Sequence, residues 1–201
     1  MAKRGRYIPG IVPEEYRADF LADELANVRI ALDSVYESKA PVFSTEIASA
    51  VTTVDISGLR GLLYGGYRVE VLVNKLVGGA ANFSIYFNQD YTATNYYSQY
   101  LQGAAGAASA ARTNTSYIGA LAGAGRAVFT VDIFPIKSSA SGPYYLMAFV
   151  NEVREQGANV VASVRAIDYT VSITDFTDIR VASSVANSFG VGSMVRVFRK
   201  L

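Results

Sequence analysis

Apolar and polar positions alternate along much of this chain. Residues 67–74 place Val69, Val71 and Val73 on one side. Phe83, Ile85 and Phe87 alternate with Ser84, Tyr86 and Asn88; Phe129, Val131 and Ile133 with Thr130 and Asp132; Tyr169, Val171 and Ile173 with Thr170, Ser172 and Thr174. A period of two with one apolar face predicts half-buried antiparallel strands. Residues 144–150 are apolar on both sides, which predicts a central strand. Residues 51–57, 159–165 and 179–185 read as further strands, and 181–199 as a closing hairpin around a small-residue turn. Short strands between Gly, Asn and Ser turns predict a sandwich or barrel over residues 41–201, with no βαβ repeat.

The pattern ahead of this region is different. Two prolines and a glycine within residues 6–13 predict extended chain. Pro13-Glu14-Glu15 then opens a helix, with proline tolerated in the first turn and acids where the helix dipole favours them. The helix is predicted to run to about residue 38, before Ala40-Pro41. Its apolar residues Ala18, Leu21, Leu25, Val28, Leu32 and Val35 are spaced alternately by three and four, as in a heptad seam. Leu25 and Leu32 at a, with Val28 and Val35 at d, favour three or four strands over two. The same spacing fits an amphipathic helix packed on its own domain; Phe20 and Ile30 lie off the seam.

Two patches interrupt the β pattern. Residues 103–111 are almost entirely Gly, Ala and Ser, as in a flexible loop or a place where another backbone approaches closely. Residues 122–125 read as a turn between strands.

Composition narrows the function classes. With 201 residues, 51 % hydrophobic and 17 % charged, the chain builds a sizeable core and is charge-poor for a surface wholly in water, a hint of buried subunit contacts. A net charge of +1 gives no general attraction to nucleic acid or anionic lipid. Lys3, Arg4 and Arg6 make a basic end, either simply solvated or an arm for an acidic surface. No apolar run reaches membrane-helix length, and no apolar segment follows the basic residues as a signal peptide requires. Absence of Cys removes disulfides and thiol chemistry.

Candidate chemistry is sparse. Without His, acid–base work falls to carboxylates, Lys and Tyr. Glu70 and Asp132 fall on the outward side of predicted strands, where charges ordinarily sit. Asp168, Asp175 and Asp178 flank one strand; ordinary turn chemistry accounts for them, with a calcium site as the alternative. No nucleophile elbow or phosphate-binding loop is present, and no two carboxylates are paired as glycoside hydrolysis requires. The expectation is a non-enzyme without metal or cofactor. Tyr86, Tyr91, Tyr96, Tyr97 and Tyr100 cluster among Asn and Gln, which suits either stacking on a glycan or a subunit interface.

Several blocks together resemble one family: residues 54–58 (Val-Asp-Ile-Ser-Gly), 67–71, 83–90, 95–101, 129–133 and the closing segment. Their order is similar to that in the C-terminal β-domains of bacteriophage tail-fibre and related virion proteins. Tyr7-Ile8-Pro9 followed by a short amphipathic helix resembles the particle-attachment end of such proteins. The resemblance implies a jelly-roll-like antiparallel sandwich preceded by a short N-terminal helix. It also implies a homo-oligomer, most simply a trimer, seamed by Leu21, Leu25, Val28, Leu32 and Val35. Residues 1–38 would contact other virion proteins. The implied role is a compact fibre, knob, adaptor or decoration protein of a virion assembled in the host cytoplasm, or alternatively a host-glycan reader. No nucleic-acid binding and no membrane insertion are implied.

Overall fold

The computed structural model describes residues 25–30, 40–104, 107–157 and 159–200. Two compact units divide at residues 40 and 41. In the first, residues 25–30 are helical, with Leu25 and Ile30 exposed and Val28 half-buried. Leu21, Leu32 and Val35 of the expected seam lie outside the described residues, as do the basic end and the predicted helix start.

The second unit holds twelve strands: β1 (Phe43–Glu46), β2 (Thr53–Ile56), β3 (Tyr67–Lys75), β4 (Ala81–Phe87), β5 (Tyr96–Ala104), β6 (Ala107–Thr113), β7 (Tyr117–Leu121), β8 (Gly125–Lys137), β9 (Tyr144–Gln156), β10 (Asn159–Ile173), β11 (Ile179–Ser183) and β12 (Met194–Arg199). They form an eight-stranded sheet, β1-β12-β3-β8-β9-β10-β5-β6, and a four-stranded sheet, β2-β11-β4-β7. The described strand pairs are antiparallel.

Setting aside β5–β6 and β9–β10, the chain changes sheet at every step except β4 to β7, which are neighbours in the small sheet. The remaining eight strands lie in the orders β1-β12-β3-β8 and β2-β11-β4-β7, the nested arrangement of a jelly roll. The two extra hairpins, inserted at separate points of the chain, pair with each other through β5 and β10 and widen the large sheet.

The expected closing hairpin is not one. β11 pairs with β2 and β4 in the small sheet, whereas β12 lies between β1 and β3 in the large sheet. The apolar face of each is required by its own layer, so the small-residue segment between them crosses the sandwich. The predicted strands at 159–165 and 169–174 are one continuous strand, β10. Residues 144–150 do form part of a central strand, β9, between β8 and β10.

Alternation explains the core. Val69, Val71 and Val73 of β3, Phe129, Val131 and Ile133 of β8, and Val195 and Val197 of β12 point inward from the large sheet. Val54, Ile56, Phe83, Ile85, Phe87, Ile179 and Val181 answer from the small one. Phe83 meets Phe129 at 5.5 Å and Phe189 at 5.3 Å between ring centres. Each such buried side chain contributes roughly 1.5–3 kcal/mol through removal from water.

Buried Lys75 fixes one end of the sandwich. Its ammonium donates to the carbonyls of Val77 at 2.5 Å and Gly79 at 2.7 Å, after β3, and of Gly123 at 3.0 Å, before β8. One charge thereby ties two turns that are far apart in sequence.

Candidate functional site on the outer face of the large sheet

The same alternation that fills the core decides what faces outward. Register places Met194, Leu72, Val128, Val153, Ala162 and Gly103 side by side across β12, β3, β8, β9, β10 and β5. Asn151, Val164, Leu101 and Ala110 form part of the next row, and Phe149 and Ala166 lie in the row after. Val128, Phe149, Val153, Val164 and Leu101 are each between 45 % and 56 % exposed. An outward strand face ordinarily carries polar residues; this one carries an apolar band. Six strand spacings by four residues gives a footprint of about 400 Å², comparable to the largest apolar patch of a typical monomer, which is often functional.

Polar residues border the band. Arg68 forms a two-pronged pair with Asp132 (2.9 and 3.0 Å), and Lys200 reaches the same carboxylate at 2.9 Å. Burial alone would raise the Asp132 carboxyl, but hydrogen bonds from Arg68 and Lys200 outweigh it and hold the group below the usual carboxylate range.

At one margin the band runs into a cleft of about 370 Å³, lined by Tyr97, Gln99, Arg112, Met147, Ala166 and Asp168. Tyr97 stands opposite Asp168 across β5 and β10, and Gln99 stands opposite both Ala166 and Arg112. Among the described residues, the side chains of Tyr97, Gln99, Arg112 and Asp168 have no hydrogen-bond or ion-pair partner. An exposed ring, an amide, a guanidinium and a carboxylate thus share one shallow depression.

The five candidate tyrosines do not form one patch. Tyr96 is in the core, its hydroxyl donating to the Asp90 carbonyl at 2.7 Å and accepting from the Phe87 N–H at 3.0 Å. Burial pushes its pKa far above the ordinary tyrosine value. Tyr86 and Tyr91 meet edge to face (5.3 Å) on the small sheet, where the Arg180 guanidinium covers Tyr91 at 4.5 Å. Tyr100 lies against Arg165 at 4.7 Å on the inner side of the hairpin extension. Tyr97 alone of the five belongs to the outer-face cleft. Odd and even positions of one strand face opposite ways, so Tyr97 parts from Tyr96 and Tyr100 as soon as 96–104 is a strand.

Beneath the extension lies a buried ionic group with no counterpart in the sequence reading. Glu152 is buried and accepts from Ser163 Oγ at 2.5 Å, from the Ala120 N–H at 3.2 Å and from Arg154. Arg154 also donates to Gln102 at 3.1 Å, and Arg165 comes within 3.9 Å of the carboxylate. Burial lowers the Arg165 pKa, while the charge of Glu152 works the other way. A Cβ at Gly119 would sit 2.3 Å from Glu152 Oε1 and 2.4 Å from the Phe129 ring, so the close approach requires glycine.

The acidic trio follows turn chemistry in part. Asp175 caps the Phe176 N–H at 2.7 Å and Asp178 accepts from the Thr177 hydroxyl at 2.6 Å, whereas Asp168 faces the cleft. Among the described residues no cluster of carboxylates is gathered as a metal site, and no helix is long and apolar enough to cross a membrane.

Fold and face together define a jelly roll with a widened, partly apolar outer sheet. Comparison with protein-family models, curated proteins and solved structures finds no match.

Proposed function

We propose that the chain is a structural component of a virion that works by self-assembly, as a compact fibre, knob, adaptor or decoration protein. The observation that carries this reading is the apolar band on the large sheet. Its centre, at Val128, Val153, Ala162, Val164 and Leu101, carries no charged side chain, and Glu70 of the same rows stands at the β3 margin, so a second copy can meet the centre without burying an unpaired ion. The band would form the apolar centre of an interface that needs about 800 Å² on each partner. The spacing around Leu25 and Val28 favours three or four copies over two, and the mainly β sandwich suits a rigid projecting or lattice-filling piece.

The test is sedimentation of the full chain at micromolar concentration. A discrete oligomer is expected, and Phe149→Glu combined with Val153→Glu should release monomers while leaving the unfolding midpoint nearly unchanged. A monomeric wild-type chain overturns the proposal.

The Tyr97 cleft favours a second reading, recognition of a host glycan. Aromatic faces stack on sugar rings, and Gln99, Arg112 and Asp168 offer donors and acceptors for hydroxyls. A glycan array should then show binding that Tyr97→Ala removes and Tyr91→Ala keeps; no binding by the wild type rejects this second reading.

A further inference from the structure

A second cleft, at the end of the sandwich, has a different chemistry. It encloses about 280 Å³ and is lined by Val42, Phe43, residues 57–60, Tyr64, Tyr67 and Arg199. Arg60 and Arg199 are among its lining residues, and among the described residues no Asp or Glu is. Elsewhere on the sandwich Arg68, Arg126, Arg154 and Arg180 each pair with a carboxylate. The guanidinium of Arg199 rests on the Tyr64 ring at 4.4 Å, and its Nε is buried without an acceptor. Tyr67 stands opposite Arg199 across β3 and β12. The Tyr67 hydroxyl accepts the Arg60 N–H at 2.7 Å, and its own proton has no acceptor among the described residues. Asp175 bears on Tyr67 electrostatically but does not line the cleft.

The walls are fixed in advance. Leu59 and Gly61 donate to the carbonyls of Thr177 and Phe176 at 2.9 Å each, and Lys200 donates to the Gly66 carbonyl at 3.1 Å. Gly66 has φ +114°, and a Cβ there would fall 2.0 Å from the Ile133 carbonyl oxygen, so this loop has little room to rearrange. A site already held in shape loses little freedom when it is filled.

We infer that this cleft binds a compact oxyanion, a carboxylate or phosphate group, held by Arg60, Arg199 and the Tyr67 hydroxyl. Guanidinium groups offer paired donors that fit both anions. The inference is independent of the assembly proposed above, because it rests on a cleft between the layers and not on the outer face.

Calorimetric titration of the full chain at constant ionic strength tests it, with inorganic phosphate, galacturonate and uncharged galactose as probes. A saturable heat with at least one anion and none with galactose is expected. Phosphate alone points to a phosphomonoester, galacturonate alone to an acidic sugar, and both to oxyanions generally. Arg60→Gln, a change at an exposed side chain, should abolish the response, and Tyr67→Phe should weaken it about tenfold, as loss of a hydrogen bond to a charged group does. No saturable heat with either anion, or an undiminished response in Arg60→Gln, overturns the inference.

Discussion

The eight jelly-roll strands and the four-stranded extension solve burial in opposite ways. Where two layers face each other, the interior is Val, Ile and Phe, interleaved as at Phe83, Phe129 and Phe189. Along β9 the inward residues change from Leu146, Ala148 and Val150 to Glu152 and Arg154, and β10 adds Ser163 and Arg165. The small sheet ends at β7, and the free N–H of Ala120 on that edge strand is taken by the Glu152 carboxylate. An apolar core needs a facing layer; at the layer's edge, backbone groups left without strand partners call for a buried acceptor. The ionic group is therefore a consequence of two sheets of unequal width.

That contrast can be broken most severely at Glu152. Glu152→Ala leaves buried arginines without their carboxylate and should cost about 3–5 kcal/mol, read as a shift in the urea midpoint. Replacing Glu152, Arg154 and Arg165 together by Leu, Leu and Met should recover most of that loss, since no unpaired charge then remains. Phe129→Ala in the paired half should also cost roughly 3–5 kcal/mol, but no second truncation should restore it. If the triple replacement were no more stable than Glu152→Ala, the ionic group would hold the extension by more than mutual compensation.

Gly119→Ala brings the two regions together, since its Cβ would collide with both Glu152 and Phe129. A loss of about 1–3 kcal/mol is expected. In the Glu152→Ala background the loss should shrink by at least ~0.5 kcal/mol, a coupling that a double-mutant cycle measures.

The smallest effect is expected at Asp132, whose partner Arg68 is half exposed. Asp132→Asn should cost at most about 1 kcal/mol near neutrality. The Asp132 pKa lies below its unfolded value of 3.8, so its contribution is full above that pH and fades as the pH falls through the lower, folded value. Acid titration of stability should therefore be shallower below pH 3.8 in Asp132→Asn than in the wild type.

Strands with strict alternation were legible: β3, β4 and the middle of β8 follow directly from Val69-x-Val71-x-Val73, Phe83-x-Ile85-x-Phe87 and Phe129-x-Val131-x-Ile133. β6 was not, because Ala107–Thr113 is so rich in Ala that no contrast marks its faces. The layer to which β11 and β12 belong was hidden for a different reason. Each alternates as a hairpin strand does, and only pairing with β2, β4, β1 and β3, far away in sequence, separates them. Tyr97 stood out only as one of five clustered tyrosines; Gln99 lay among the amides around them, and Asp168 fitted turn chemistry. Their meeting with Arg112 needed the register of β5, β6 and β10. Arg60 and Arg199 gave no local sign, since their shared cleft depends on β12 returning beside β3.

That return has a consequence for how the molecule comes into being. Phe43 pairs with Val197, and β12 occupies an interior place between β1 and β3. During synthesis β1 must wait, unpartnered, until β12 has left the ribosome. Topologies dominated by such distant pairings fold slowly. A nascent chain stalled before residue 194 would expose the flanks of β1 and β3 together, and would be far more prone to aggregate than one lacking β6 at the sheet's rim.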